Sequence, residues 1–331
     1  MHDALLVTLV VVVALGFDFT NGFHDTANAI ATSVSTHALS PRAAVILSAG
    51  MNFAGAFVTL KVAATIGSGV APPEKVTLVM IIAALVGAIG WNLITWYGGL
   101  PSSSSHALIG GLIGATIVGL GVGAVKWDVV ISKMIIPLVF SPIIGFVLAY
   151  IGMLIIFWIF RGARPRRVNR GFRLAQIASA AFVSFSHGTN DAQKTMGIIS
   201  LALVSGGFLK HFAVPIWVII AAAAAMGFGT YAGGWRIIRT MGTRLYKMEP
   251  AEGFDAQTVA ASLIQTASHF GLPVSTTHVV TGSVLGAGST ESASAVRWGV
   301  GVNIVLAWIV TLPMAALLAA IVYFFLHFFG K

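Results

Sequence analysis

The sequence predicts an all-α polytopic membrane protein made of two inverted-topology repeats, with broken helices and two re-entrant helical hairpins. Composition is the first reason: 57% of the 331 residues are hydrophobic and 9% are charged, whereas a soluble protein carries about 25% charged residues. Apolar runs are the second, because several approach or exceed the ~20 residues that cross a bilayer, among them Ile135–Phe160 and Val300–Phe325. An internal duplication of polar segments is the third.

The duplicated segments contain glycine or proline and are polar, which is unusual inside an apolar chain. Residues 19–28 (Phe-Thr-Asn-Gly-Phe-His-Asp-Thr-Ala-Asn) correspond to residues 185–194 (Phe-Ser-His-Gly-Thr-Asn-Asp-Ala-Gln-Lys). Residues 100–106 (Leu-Pro-Ser-Ser-Ser-Ser-His) correspond to residues 272–278 (Leu-Pro-Val-Ser-Thr-Thr-His). Interrupted helices at equivalent places in two repeats surround the substrate site of many transporters. The duplication predicts such a site between the halves, with each opening helix interrupted at its Asn/Asp motif.

Basic residues predict the orientation of the halves. Six arginines lie within residues 161–173, and basic loops next to membrane helices stay on the cytoplasmic side. We therefore expect residues 1–160 to form the first repeat, 161–173 a cytoplasmic linker and 174–331 the second repeat. Threading from this linker places the second basic segment, Arg236–Lys247, inside and the N-terminus outside. Met1–Leu15 lacks a basic start and a small-residue cleavage pattern, which predicts a retained first membrane helix.

Acidic residues point to a cation site. Asp25 and Asp191 occupy equivalent positions in the first pair of motifs. A carboxylate inside a membrane costs several kcal/mol unless it is paired or solvated, so the pair predicts a cation site where the repeats meet. A second interpretation, compatible with the first, is that each carboxylate caps a broken helix. Oxygen ligands suit sodium or a hydrated divalent ion, and the nearby amide side chains are Asn21, Asn28 and Asn190.

Two histidines occur at exchanged positions in the same motifs. His24 stands where Asn190 stands in the second half, and His187 stands where Asn21 stands in the first. Histidine titrates near neutral pH. The exchange leaves two interpretations open, a proton relay and hydrogen-bonded packing.

Lys194 is the one cation in the motifs, at the position that Asn28 occupies in the first half. It predicts an ion pair with Asp191 or Asp25, and the alternative is a direct contact to an anion.

The proline-containing segments predict an anion site. Proline followed by small hydroxyl residues marks a helix start, where the hydroxyls cap free N–H groups. A helix N-terminus attracts anions through those N–H groups and the helix dipole. Two such ends facing each other would surround a small oxyanion, although the hydroxyls could also serve as caps alone. His106 and His278 follow as packing groups or proton carriers. The candidate anion-binding residues are Ser103, Ser104, Ser105, Ser275, Thr276 and Thr277.

Several functions are excluded or made remote by composition. The chain has no cysteine, which rules out disulfides and thiolate metal sites. Its net charge of +9 is concentrated near membrane helices, which argues against nucleic acid and for contacts with membrane lipids. No glycine-rich lysine motif for ATP is present, so a self-contained ATP-driven pump is not expected. We expect no organic cofactor.

The four motifs, in this order and duplicated, resemble the PiT family of inorganic phosphate transporters over nearly the whole chain. The matching stretches are residues 22–29, residues 188–194 and both Pro-x-Ser-(Ser/Thr)-(Ser/Thr)-His segments. The resemblance implies uptake of phosphate by cation-coupled symport with alternating access, in the bacterial inner membrane. It also implies transport-site roles for these residues: Asp25, Asn28, Asp191, Ser103, Ser104, Ser105, Ser275, Thr276 and Thr277.

The same resemblance bears on the coupling ion. Sodium-coupled members carry a glutamate in the second helix of each half, in contexts similar to Asn52 and Gln257 here. Replacing carboxylates by amides weakens a binding site for extra cations, which favours proton over sodium coupling. The motif around His24 resembles the low-affinity, proton-coupled bacterial branch, whose members are thought to accept phosphate with a divalent metal. Such a metal would be held by Asp25 and Asp191.

Other functions stay open from the sequence. A sodium-coupled phosphate symporter and a sulfate permease of the same fold are the nearest alternatives. Sulfate lacks the proton that phosphate can donate to Asp25 or Asp191, which favours phosphate. An anion channel and a membrane enzyme acting on a phosphate-bearing lipid are more remote, the enzyme because no nucleophile or metal-ligand signature occurs. The oligomeric state, monomer or homodimer, is also open.

Overall fold

The computed structural model describes residues 2–246, 248–292, 294 and 296–329, and this part of the chain is helical without strands. Lys247, the end of the second basic segment, lies outside it. The helices are α1 (His2–Ser35), α2 (Pro41–Gly55), α3 (Lys61–Gly69), α4 (Leu78–Tyr97), α5 (Ser104–Leu120), α6 (Trp127–Val129), α7 (Ile136–Phe160), α8 (Pro165–Ser205), α9 (Ile216–Ala232), α10 (Trp235–Arg239), α11 (Pro250–His269), α12 (Thr276–Gly288) and α13 (Trp298–Phe329).

Within the described ranges, four helical segments are long and apolar enough to cross a membrane. They are Ala4–Ser35, Leu78–Tyr97, Trp127–Phe160 and Trp298–Phe328, and the pair α9 and α10 adds a fifth if it counts as one span bent by 58°. The chain is therefore an α-helical membrane protein, as its composition predicts. The inverted relation of the two halves, their boundaries and the position of the N-terminus remain predictions.

The opening helices α1 and α8 run without a break through their Asn/Asp motifs, so the predicted interruption there is wrong. The motif glycines allow close packing instead of breaking the helix. A Cβ atom on Gly22 would lie 2.5 Å from the carbonyl oxygen of Met226, and one on Gly188 would lie 2.1 Å from that of Asn52. Breaks occur in the next helices, between α2 and α3 and at Gly233 between α9 and α10.

Two shorter helices, α5 and α12, begin at the Pro-Ser segments. Ser103 and Ser275 are their N-caps, and each side chain accepts a hydrogen bond from a histidine N–H three residues later. Pro101 and Pro273 therefore precede the caps and lie outside the helices. Each cap satisfies the N–H of the third residue after it. The free N–H groups of the first turn therefore belong to the two residues directly after each cap.

Apolar residues form two large buried clusters with the polar motifs between them along the chain. The first cluster includes Val7–Phe17 of α1 and Ala192–Leu203 of α8, and the second includes Ala27–Ala31 and Val183. The polar motifs of α1 and α8 thus fall at the boundary between the clusters. The predicted linker is mostly helical, because α8 begins at Pro165.

Candidate functional site

Asp25 on α1 connects the N-terminal ends of both short helices. Its Oδ2 accepts a hydrogen bond from the Ser104 hydroxyl at 3.2 Å, and its Oδ1 accepts one from Thr277 at 3.2 Å. Asn28, one turn further along α1, donates to the Thr277 hydroxyl at 2.8 Å. The structure therefore brings the predicted carboxylate together with both predicted anion-binding helix ends, in a site that is almost fully buried.

Asp191 on α8 is the matching carboxylate and forms the ion pair that the sequence suggested. Its Oδ1 lies 2.7 Å from Lys194 Nζ, and its Oδ2 accepts a hydrogen bond from Asn21 at 3.2 Å. Lys194 also donates to the Ser105 hydroxyl and to the carbonyl oxygen of Val274. The lysine thus joins α8 to the starts of α5 and α12, and it is completely buried.

His24 is held close to Asp25 by a small hydroxyl cluster. Its Nδ1 lies 3.0 Å from Asp25 Oδ1, and its Nε2 lies 3.2 Å from Thr95 Oγ1 and 3.4 Å from Ser102 Oγ. Thr95 and Ser102 are themselves 2.7 Å apart. A protonated His24 would therefore form a charge-assisted pair with the Asp25 carboxylate.

His187 faces Asp191 with a nitrogen that has no hydrogen-bond partner among the described residues. Its Nδ1 donates to Asn52 Oδ1 at 2.8 Å, because Asn52 uses its own amide group to donate to Thr230 at 2.9 Å. In the neutral ring the lone pair is then on Nε2, which lies 3.6 Å from Asp191 Oδ2 without a hydrogen bond. Two acceptors face each other across this gap, which a proton or a metal ion would bridge.

Gln257, like Asn52, is a buried amide that forms hydrogen bonds to neighbouring helices. It donates to the carbonyl oxygen of Ala29 and to the Ser33 hydroxyl, and it accepts from Ser179 at 2.8 Å. It lies on α11, so placing it on the second helix of its half was wrong, because α9 and α10 come first. Both Asn52 and Gln257 cross-link helices, and neither contacts a carboxylate of the site directly.

The hydroxyl groups of the short helices divide into two roles. Ser103 and Ser275 cap their helices, whereas Ser104, Ser105 and Thr277 turn toward the acidic and basic side chains. Thr276 is buried with no partner for its hydroxyl in the described part of the chain. The hydroxyl protons of Ser104 and Thr277 go to Asp25. The donors open to an anion are therefore the Thr276 hydroxyl and the free backbone N–H groups at the starts of α5 and α12.

Asn190 differs from Asn21 and Asn28 because its hydrogen bonds do not go to the carboxylate cluster. It donates to the Ser268 hydroxyl at 2.9 Å and to the carbonyl oxygen of Leu272 at 3.2 Å, both on or next to α11. These contacts fix the segment that leads into α12, so Asn190 positions a helix rather than touching the carboxylates.

Three of the described side chains could share a metal ion. Asp25, His187 and Asp191 offer one ligand atom each, and the three atoms lie within 4.8 Å of one another. Divalent metals bind nitrogen and oxygen ligands at about 2.0–2.2 Å, so a modest inward movement would bring the three into coordination. Asn21, which holds Asp191, would fix the orientation of that carboxylate.

Some functional neighbours were missed by sequence reasoning. Thr95, Ser102 and Thr230 orient His24 and Asn52, but single hydroxyl residues carry no motif signal. Asp18 lies just upstream of the first motif, and the sequence predicts no role for it. It is fully buried, and neither of its carboxylate oxygens has a hydrogen-bond partner among the described residues.

Residues 21–319 match the sequence model of the phosphate transporter family. A protein of Mycobacterium bovis named as a probable low-affinity inorganic phosphate transporter is 51% identical over 98% of this chain and 78% of its own length. A protein of Bacillus subtilis with the same name is 48% identical over 98% of both chains.

Among solved structures, a sodium-dependent phosphate transporter has a similar fold. The TM-score is 0.90 at 24% sequence identity, over 98% of this chain and 99% of the other. At this sequence identity, the similarity shows that the two chains share a helical fold.

Proposed function

The chain belongs to the phosphate transporter family, and we propose that it takes up inorganic phosphate across the bacterial plasma membrane by symport with a cation. One observation carries this proposal. Two helix N-termini, α5 and α12, meet at the Asp25 carboxylate through Ser104 and Thr277. Phosphate that is partly protonated can accept hydrogen bonds from such helix ends and donate one to a carboxylate.

The charge of the site supports coupling to a cation. Asp25, Asp191 and Lys194 are all almost fully buried, and with neutral histidines they sum to one negative charge. Adding a phosphate dianion in a site of low dielectric constant would be very unfavourable, because buried like charges are poorly screened. Co-binding of cations removes this cost, so phosphate and cations should bind together.

Protons are favoured as the coupling ion by the gap beside His187. A proton on its Nε2 would bridge to Asp191 Oδ2, 3.6 Å away. Asn52 and Gln257 are neutral amides whose hydrogen bonds go to other helices, so they add no negative charge that would attract sodium.

A divalent metal–phosphate complex is the second candidate substrate. The cluster of Asp25, His187 and Asp191 could hold a divalent cation beside the hydroxyl donors of α5 and α12. The cation would then neutralise phosphate in place of protons. Sulfate is less well suited, because it has no proton to donate to Asp25.

The test is phosphate uptake by purified protein in liposomes, with an imposed pH gradient compared with an imposed sodium gradient. Each is measured with EDTA and with added Mg²⁺ or Mn²⁺, and with sulfate as a competitor. Accumulation driven by pH alone supports protons, and a requirement for metal supports the complex. Asp25→Asn should stop accumulation, while Asp128→Asn, at an exposed position, should not.

Accumulation driven only by sodium would overturn proton coupling. Equal competition by sulfate would overturn the preference for phosphate.

A further inference from the structure

One cavity is lined by no carboxylate of the described structure. Its volume is about 540 Å³, and it is lined by residues of α7, α12 and α13. The rim includes Ile143 and Ile309, whose side chains are 54% and 66% exposed. Because α7 and α13 belong to segments able to cross a membrane, this opening faces the hydrocarbon of the bilayer.

Three neighbouring rings line this otherwise apolar cavity. The His278 ring stacks on Trp308, at 3.8 Å between ring centroids, and contacts the tilted ring of His106 at 4.5 Å. Trp308 is fixed by a hydrogen bond from its Nε1 to the carbonyl oxygen of Pro101 at 3.0 Å. The stack therefore holds the His278 ring in one orientation.

The hydrogen bonds of His278 define what it needs from a ligand. Its Nδ1 lies 3.4 Å from the carbonyl oxygen of Leu138, which can only accept, so Nδ1 carries the hydrogen. The lone pair of the neutral ring is then on Nε2, which has no partner in the described structure. Only 4% of the His278 surface is exposed. A buried acceptor without a donor is costly, and a ligand O–H group would satisfy it.

We propose that this cavity binds one single-chain membrane amphiphile, with its hydroxyl or protonated carboxyl group donating to His278 Nε2 and its acyl chain along α7 and α13. The volume falls within the ~300–1,000 Å³ of small-molecule pockets. Lipid tails alone would fill the apolar walls and leave the nitrogen unpaired. A phospholipid headgroup is polar and stays at the membrane surface, so a chain with a small terminal donor suits the site best.

The position of the rings connects this cavity to the transport site. His106 and His278 come directly after Ser105 and Thr277 in sequence, on the first turns of α5 and α12. An occupant would therefore press on the back of the two helix ends that face Asp25. We expect bound amphiphile to change the rate of phosphate uptake.

The experiment uses the full protein in lipid nanodiscs and two photoreactive probes, a diazirine-bearing hexadecanol and the matching alkane without the hydroxyl. Labelled peptides are mapped by mass spectrometry. We expect saturable labelling of α7, α12 and α13, with the alcohol favoured roughly two- to tenfold, the range of one hydrogen bond. His278→Phe should remove that preference, and Ile143→Trp should block both probes.

Val302→Trp is the matched control, because Val302 is 56% exposed on α13 and does not line the cavity. It should leave labelling unchanged. Equal labelling by alcohol and alkane, or labelling that survives Ile143→Trp, would overturn the proposal. So would cross-links showing that a second copy of the chain covers the opening and excludes the probes. Ile143→Trp also keeps the test decisive if His278→Phe does not fold.

Discussion

Lys194 is a completely buried lysine whose ammonium group has three partners. It lies 2.7 Å from Asp191, and it also bonds to Ser105 and to the carbonyl of Val274. A buried ion pair of this kind contributes little net stability, but removing one partner leaves an uncompensated charge. The pair therefore fixes the positions of the two charges and contributes little to the stability of the fold.

This reasoning predicts a difference between single and double substitutions at the pair. Lys194→Met should lower the stability by roughly 3–5 kcal/mol, because Asp191 is left unpaired. Lys194→Met combined with Asp191→Asn should recover much of that loss and still fail to accumulate phosphate. Thermal denaturation in detergent and liposome uptake measure the two effects. Equal stability of the single and double variants would contradict the argument.

The two serines at the start of α5 should also behave differently. Ser103→Ala removes the cap hydrogen bond to His106 and should cost about 1 kcal/mol of stability. Ser104→Ala removes the hydroxyl whose proton goes to Asp25 and would turn to phosphate when phosphate binds. The loss should weaken phosphate affinity about 10- to 100-fold, the effect of a hydrogen bond to a charged group. Stability and apparent affinity are measured for both. The interpretation fails if Ser103→Ala has the larger effect on affinity.

At the scale of elements, α5 and α12 are held by close contacts through glycine. A Cβ atom on Gly114 would lie 2.1 Å from the carbonyl oxygen of Ala316 on α13, and one on Gly286 would lie 2.1 Å from that of Phe146 on α7. Each short helix thus rests on a long apolar helix. The spacing of four residues between Gly110 and Gly114, and between Gly282 and Gly286, allows this close approach along one face of each helix.

Gly114→Ala should therefore destabilise the protein by roughly 1–3 kcal/mol, because the backbone of α13 must move away. Gly299→Ala on α13 is the matched control, since a Cβ atom there meets nothing within 4 Å. Alanine should be neutral or slightly stabilising at that position. The comparison uses thermal denaturation of both variants in the same detergent. Similar losses for the two would show that the contact does not constrain the packing.

An acidic cluster joins the start of α11 to the loop after α12. The Tyr246 hydroxyl lies 2.7 Å from both Glu252 and Glu291. A hydroxyl has one proton to donate, so the second short contact requires a proton on one of the carboxyl groups. Burial raises the pKa of Glu252 to about 7, against the opposing hydrogen bond from Tyr246. Glu249 and Arg161 line the adjacent cavity of about 340 Å³.

The stability should fall as pH rises because of this cluster. Between the ordinary pKa of 4.5 and the native value of about 7, the folded state of Glu252 holds a proton that the unfolded state has lost. The resulting loss is about 3 kcal/mol by pH 8. Burial also raises the pKa of Asp255 to about 7, so Glu252→Gln should remove only part of the difference between melting temperatures at pH 5.5 and pH 8. Glu74→Gln, at an exposed site, should leave that difference unchanged. A Glu252→Gln variant with unchanged pH dependence would contradict this assignment.

At the scale of the whole molecule, composition was enough to predict the membrane class, and duplication was enough to find the residues that meet at the site. Asp25 and Asp191 were identified because matching carboxylates in an apolar chain are rare. The course of the helices was harder to predict. Gly22 and Gly188 look like helix breakers in sequence, but they serve packing against α9 and α2, which depends on distant backbone.

The partners of the motif side chains could not be predicted for the same reason. His187 is oriented by Asn52 and, through it, by Thr230, and these residues lie far apart in sequence. Sequence reasoning found the charged residues of the site and the hydroxyls of the two proline segments that contact them. It missed Thr95, Ser102 and Thr230, which orient His24 and Asn52. The boundaries of the two repeats and the coupling ion remain predictions.

The hydrogen bonds of the site cross between the two halves of the chain. Asn21 holds Asp191, Thr277 holds Asp25, and Ser105 is held by Lys194. Neither half contains a complete set of partners, so a chain cut in the exposed turn at Arg161–Arg164 should yield two fragments that are inactive alone. Expressed together, the fragments should reassemble and transport phosphate. The internal duplication implies an ancestral gene for one half-sized subunit, and two copies of that subunit would have had to assemble in the same way.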